Sequence, residues 1–435
     1  MWTTLAISLL TVALMVISIF RFPVVRFGRF QLGGYCFFAI LGALALLTFG
    51  CVSVSDAVGG IFADSEVNPV KILVLFLSMT AFSVFLDELG LFRYLASLAL
   101  RRAGGSQTAL FLILYFTVSI LTVFTSNDII ILTFTPFICA FARSARIHPL
   151  PYLFAEFFAA NTWSMILMIG NPTNIYIASF LGMDFFGYAG VMALPTAIVG
   201  LFSLLLLYLV FRRSLKEPIT GEPEVVELSE RPMLIVGVAH LAVCIVMLAL
   251  SSYVGIPMWW ISLGLFLSLS LIVLCYFFSR RKRPTPLLHT LRRMPWELVP
   301  FMLSMFILVI ALDKNGICTL MRGALDGTLG GASQPALVYG ISSFLTANLI
   351  NNIPMSVLFS TLSAMNGTAE AAFASIAGSN LGACLTPVGA LAGIMWADIL
   401  RREGVRFDYR DFLRYGAIVS IPTLLLFLVL LPIFL

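Results

Sequence analysis

The sequence predicts an all-α polytopic membrane protein built as two inverted repeats, with about ten spans, two re-entrant hairpins and broken helices. Three observations lead there. Hydrophobic residues fill 60% of 435 positions and charged ones only 11%, with a mean hydropathy of +1.03, which is more apolar surface than one soluble core buries. Apolar runs recur along the whole chain at roughly the 20 residues needed to cross a hydrocarbon layer about 30 Å thick. Polar motifs in the first half return, in order, in the second.

Full spans are expected near 1–20, 33–53, 70–88, 150–182, 189–211, 232–251, 258–279, 295–312, 371–400 and 416–435. The opening run MWTTLAISLLTVALMVISIF is followed by Arg21, Arg26 and Arg29 rather than by a small-residue cleavage site, so it reads as a retained first span. Segments 107–143 and 335–365 are too long for one crossing and carry polar residues at their midpoints. Each is expected to enter and leave on the same side. With the N-terminus outside, the 26 basic residues then divide into 26 − 3 = 23 on one face and Lys71, Lys314 and Arg322 on the other. That asymmetry assigns the Arg-rich loops to the cytoplasm and both termini to the outside of the plasma membrane, the inner membrane in a bacterium.

The net charge of +5 follows from this sorting and implies no nucleic-acid partner. The seven cysteines show no paired spacing and the three histidines no cluster, so neither a metal knuckle nor a disulfide framework is signalled. No nucleophile–base pair appears, which argues against an enzyme. No cofactor is expected. The partners are lipid and a small solute, with a homodimer among the assemblies an apolar surface permits.

The repeat rests on residue matches. LSM at 77–79 recurs at 303–305, an offset of 303 − 77 = 226, each copy followed by an Asp and a Gly: Asp87 and Gly90, then Asp313 and Gly316. Gly104 and Gln107 align with Gly330 and Gln334, Asn127-Asp128 with Asn351-Asn352, and Asn161 and Gly170 with Asn380 and Gly389. Residues 1–211 form the first repeat, 212–231 a cytoplasmic linker and 232–435 the second. Each copy holds an odd number of crossings, so the second enters lipid from the opposite side.

Backbone leaves helical geometry inside a membrane only where protein or trapped water satisfies it. Four stretches invite that: the tips Ser126-Asn127-Asp128 and Asn348…Asn351-Asn352, and the breaks Gly170-Asn171-Pro172-Thr173-Asn174 and Thr386-Pro387-Val388-Gly389. With Asn161 and Asn380 they form the expected substrate and ion site, because half-helix N-termini attract anions while unwound carbonyls and Asn or Thr oxygens suit a hard cation such as sodium. Asp128 faces a neutral counterpart, Asn352. A lone carboxylate at that depth is costly unless it has a task, here binding sodium or exchanging a proton. Glu156, five residues before Asn161, is a second candidate proton carrier.

The segments FLDELGLF (85–92), SNDIIILTFTP (126–136), GNPTNI (170–175), LINNIP (349–354) and ILRREG (399–404) resemble the arsenite permease and sodium/proton antiporter branch of the ion transporter superfamily, and more distantly the divalent anion:sodium symporters. The resemblance covers nearly the whole chain. It implies a scaffold domain and a moving transport domain that alternate like an elevator, with Asn127, Asp128, Asn351 and Asn352 at the two tips. The expected function is secondary active transport of an anion or oxyacid, arsenite and antimonite efflux among the candidates, coupled to protons or sodium by alternating access. Sodium/proton exchange and sodium-coupled di- or tricarboxylate symport are the alternatives.

Overall fold

Capping chemistry sets where the apolar runs become helices. Asn68 accepts hydrogen bonds from the N–H groups of Val70 (2.8 Å) and Lys71 (3.2 Å) ahead of Pro69, a side-chain cap followed by a proline that fits only the first turn. Ser106, Asp184, Thr368 and Asp408 cap later helices in the same manner. The computed structural model describes residues 1–22, 24–27, 30–62, 68–216, 219, 230–327, 335–405 and 408–435.

In chain order, α1 (Trp2–Arg21) leads through a ribbon, β1 (Val24–Phe27) and β2 (Phe30–Gly33), to α2 (Gly34–Thr48), α3 (Val54–Ile61), α4 (Pro69–Glu88) and α5 (Leu91–Arg102). Then come α6 (Gln107–Phe124), α7 (Asn127–Ala145), α8 (Leu150–Trp163), α9 (Pro172–Phe180) and α10 (Phe185–Phe211). The second half runs α11 (Arg231–Ala249), the single turn α12 (Ser251–Val254), α13 (Met258–Ser279), α14 (Thr285–Arg293), α15 (Leu298–Lys314) and α16 (Ile317–Gly327). It finishes with α17 (Pro335–Ile350), α18 (Asn352–Asn366), α19 (Ala369–Gly382), α20 (Leu391–Arg402) and α21 (Tyr409–Phe434). Leaving α12 aside, the two halves present their helices in one order, α1 to α10 beside α11 to α21.

Eight of the described helical segments are long and apolar enough to cross a bilayer, and both arms of the first hairpin are among them. Windows in α1, α2 and α17 are shorter. The segments 150–182 and 371–400, expected as broken spans, are each two helices, α8 with α9 and α19 with α20. The ribbon and the short amphipathic helices α3, α5, α14 and α16 stand where the sequence suggested loops. Most of the linker, and Gly330 and Gln334 of the repeat match, lie outside the described residues.

One packed group holds α1 to α4, α11 and α13 to α15; a second holds α6 to α10 and α17 to α21, with α5 and α16 joining them in sequence. The second group is a mixed core of both halves. Trp396 of α20 lies 5.7 Å from Phe154 and 5.4 Å from Phe157 of α8, and Phe412 of α21 lies 5.5 Å from each; all four are fully buried. Aromatic packing of this kind adds to the area effect that holds the halves together.

The first group is fastened by exchanged ion pairs. Lys314, ending α15, donates to Asp56 of α3 at 2.6 Å, while Arg293, ending α14, binds Asp87 at 2.8 Å and Glu88 at 2.5 Å at the end of α4. His289 lies 3.3 Å from Glu88. Asp87 is only 4% exposed, so its carboxylate forms a buried ion pair. Each short helix thus grips the long helix of the other half.

Candidate functional site

Two broken helices cross at the centre of the second group. After α8 the chain unwinds through a 3-10 turn at Met168–Gly170, and Asn171 caps α9 by accepting from Thr173 N–H at 3.2 Å. After α19 it unwinds through a matching turn at Pro387–Gly389 before α20. Glycine is required at both turns by close approach: a Cβ on Gly170 would lie 2.3 Å from the Ser164 carbonyl, and one on Gly389 would lie 2.7 Å from that of Gly382. Neither contact is compatible with a side chain.

Asparagines knot the breaks together. Asn380 Oδ1 accepts from Asn171 Nδ2 at 2.7 Å and from Ser164 Oγ at 3.2 Å, while its Nδ2 donates to Asn174 Oδ1 at 2.7 Å and to Ile376 O at 2.8 Å. Asn174 Nδ2 donates back to Ser164 O at 2.9 Å. The whole knot is buried. It takes one amide from just ahead of the second break and fits it into the first.

The hairpin tips abut the breaks of their own halves. Asn127 Nδ2 donates to Asn161 Oδ1 at 3.1 Å, and Asn161 donates to Phe157 O. Asn351 Nδ2 donates to Val388 O at 3.0 Å, and Thr386 Oγ1 donates to Asn348 Oδ1 at 2.7 Å. The second arms then cross over, α7 onto α20 and α18 onto α9. Asn351 sits at φ 75° and ψ 154°, a region nearly reserved for glycine and found where structure forces it.

These bonds sort the expected site residues. The amides of Asn161, Asn174 and Asn380 are committed to protein partners. Ser126 Oγ, Thr173 Oγ1 and Asn352 Oδ1 are buried and have no hydrogen-bond partner among the described residues. Asp128 is partly exposed in the first turn of α7, and its backbone N–H donates to Asn127 Oδ1 at 3.0 Å. Among the described residues no Lys, Arg or His pairs with its carboxylate. Glu156 lies within the core below Asn161, fully buried, accepting from Thr135 Oγ1 at 2.9 Å.

Ser164 is the knot member that the sequence comparison passed over, since its counterpart three residues after Asn380 is Ala383. Thr162 and Ser379, whose buried hydroxyls also have no partner among the described residues, were passed over too. The signal available was polarity itself, in the run NTWS at 161–164 where a continuous span would stay apolar. Hydroxyl and amide groups of this kind can hydrogen-bond a hydroxylated solute, and their oxygens can ligate a hard monovalent or divalent cation.

Comparison with known proteins supports this architecture. Residues 34–378 match the family model described as CitMHS, citrate transporter. An arsenical pump membrane protein of Escherichia coli is 26% identical over 401 residues, covering 89% of this chain and 90% of its own, and one from Yersinia enterocolitica matches to the same extent. Among solved structures, the Alcanivorax borkumensis YdaH transporter superposes with a TM-score of 0.59 over 99% of this chain and 97% of that one, at 15% identity. At that identity the likeness is one of fold. With more than half of its length matched by the family model, the chain belongs to the CitMHS family of membrane transporters and is a transport protein rather than an enzyme.

Proposed function

We propose that this protein is a secondary active transporter of a small uncharged or weakly anionic oxyacid, with trivalent arsenic and antimony acids as the first substrates to try. The observation that carries this is the chemistry of the open positions at the tips and breaks: buried hydroxyl and amide oxygens at Ser126, Thr173 and Asn352, and one carboxylate, Asp128, at the first tip. A citrate-like polyanion calls for charge-assisted donors such as Arg. The tips and breaks hold no Arg or Lys. Arsenous acid is uncharged near neutral pH and presents only hydroxyl groups, which such a lining can both donate to and accept from. The names of the arsenical pump relatives agree with that choice.

The two repeats are threaded oppositely through the inner membrane, both termini face outward, and the second packed group moves against the first between inward and outward states. Protons or sodium drive the movement, and Asp128 is the group that senses them. A second reading, sodium/proton exchange without an oxyacid, is favoured by the absence of a cation partner for Asp128 among the described residues. Proteoliposomes with sodium and proton gradients imposed independently separate the two. The first reading requires accumulation of arsenite or antimonite above its external concentration under one of the gradients. Sodium flux with no oxyacid movement supports the second, and gradient-independent equilibration overturns both.

A further inference from the structure

We propose that Glu156 is a proton-binding station loaded from the Arg-rich face through a recess at the end of α7, separate from the site at the hairpin tips. The proposal rests on the transport function above and assigns its driving ion and the route that ion takes. The geometry begins with burial. Glu156 is 0% exposed; one carboxylate oxygen accepts from Thr135, and the other, Oε2, is buried with no partner among the described residues. No described cation pairs with it. A carboxyl group held so is expected to carry a proton of its own rather than a metal or a salt bridge.

The second half shows that this carboxylate is no requirement of the fold. Glu156 stands 161 − 156 = 5 residues before Asn161, and Ser375 stands 380 − 375 = 5 before Asn380. Ser375 is equally buried, yet it is satisfied by Ala371 O at 2.7 Å and by Ser363 at 3.3 Å. One copy of the repeat therefore keeps a neutral, fully bonded serine where the other keeps an acid with an idle oxygen.

Access comes along α7. Thr135, Cys139 and Arg143 follow one another at four-residue spacing, each one turn beyond the last along an inclined ridge of the helix. Thr135 touches Glu156. Cys139, one turn on from Thr135, lines a recess of about 280 Å³ with Arg143, His148 and Glu403. Arg143, which lines the recess, is paired with Glu403 at 3.1 Å. A hydronium ion in the recess gives its proton to Oε2, forming an O–H bond and leaving water. On the elements packed against α8, the other titratable groups are Asp128 of α7, Tyr115 of α6, Tyr188 and Tyr208 of α10, Glu370 of α19, Asp398, Arg401 and Arg402 of α20, and Tyr409, Arg410, Asp411, Arg414 and Tyr415 of α21. Tyr115 and Tyr188 are occupied by the carbonyls of Gly200 and Met165.

The test uses the full chain in proteoliposomes. Glu156→Gln is expected to lower proton-driven accumulation of arsenite by about tenfold or more, the scale of a typical linkage between two ligands, while exchange of internal for external arsenite without a gradient continues. Proton-driven accumulation at the wild-type level in Glu156→Gln overturns the station and leaves the transport function standing. Wild-type protein that neither accumulates nor exchanges an oxyacid overturns the function, and this proposal with it. Should Glu156→Gln fail to fold, Thr135→Val retains the acid and is expected to move the midpoint of the pH–rate profile; an unmoved midpoint counts against the station. For the route, Cys139 is alkylated in a chain whose other six cysteines are serine. Loss of proton-driven uptake with exchange intact supports the recess, and either no labelling or unchanged coupling after labelling overturns it.

Discussion

Truncating Asn380 to alanine removes the centre of the knot between the two breaks. Asn171 Nδ2 and Asn174 Oδ1, both within buried residues, lose their 2.7 Å partner, whereas Ser164 Oγ keeps a bond to Asn161 O at 2.9 Å. At about 1–3 kcal/mol for each buried group left unpaired, two orphans cost about 2–6 kcal/mol. Hydrogen bonds between membrane helices average nearer 0.6 kcal/mol, with about 1.7 as the largest in one well-studied protein. The smaller figure reflects unfolded helices that find new partners in the bilayer. Here the orphaned groups belong to Asn171, at the break itself, and Asn174, in the first turn of α9, both fully enclosed by protein, so local replacements are scarce and a loss of about 2 kcal/mol or more is expected. Reversible unfolding in mixed micelles measures it, and a cycle with Asn171→Ala isolates the pair, with a coupling of about 1–2 kcal/mol expected. A loss of less than about 0.5 kcal/mol for Asn380→Ala, or strict additivity with Asn171→Ala, would refute the view that this amide joins the halves.

Other outcomes follow from the same geometry. Asn351→Ala keeps the unfavourable φ of 75° and loses the bond to Val388, whereas Asn351→Gly loses the bond but relaxes the backbone; the glycine variant should be the more stable by about 1–3 kcal/mol in thermal unfolding. Gly170→Ala forces a methyl toward the Ser164 carbonyl 2.3 Å away and is expected to lower stability by about 1–3 kcal/mol, with transport lost alongside. Asp128→Asn should abolish gradient-driven accumulation while leaving folded protein in the membrane; unchanged, still ion-dependent uptake would remove Asp128 from coupling. The Lys314 ammonium holds the Asp56 carboxyl below its usual range. Because the folded value is depressed, the benefit is present above the ordinary Asp range near 3.9 and disappears as pH falls through the folded value. Thermal midpoints of wild type and Asp56→Asn should therefore differ at neutral pH and converge in acid, and Lys314→Met should erase the difference.

Much of the plan was legible because lipid tolerates few exceptions. Met258–Ser279 begins and ends where its apolar run does, and the tips at Asn127 and Asn352 open α7 and α18 because polar residues in that setting need a reason to be there. Other features could not be read. Helices α5 and α14 are short and carry Arg at their ends, so in sequence they resemble loops; their helical form depends on packing against α6, α7 and α4. The partners of Asn380 lie more than 200 positions away, and pattern gives no distance across such a gap. Residue type therefore singled out the asparagines, while only their bonds separate those that fasten the breaks from the hydroxyl and amide oxygens left open.

The exchanged ion pairs bear on how the nascent chain matures. Helix α4 leaves the ribosome with Asp87 and Glu88 long before Arg293, which follows Glu88 by 205 residues. Until then two carboxylates wait at the end of a hydrophobic helix with no counter-charge from α14, a state that chaperones or the insertion machinery must tolerate. Asp56 waits longer still, 258 residues, for Lys314. The first half is thus synthesised as an unfinished object that the second half completes.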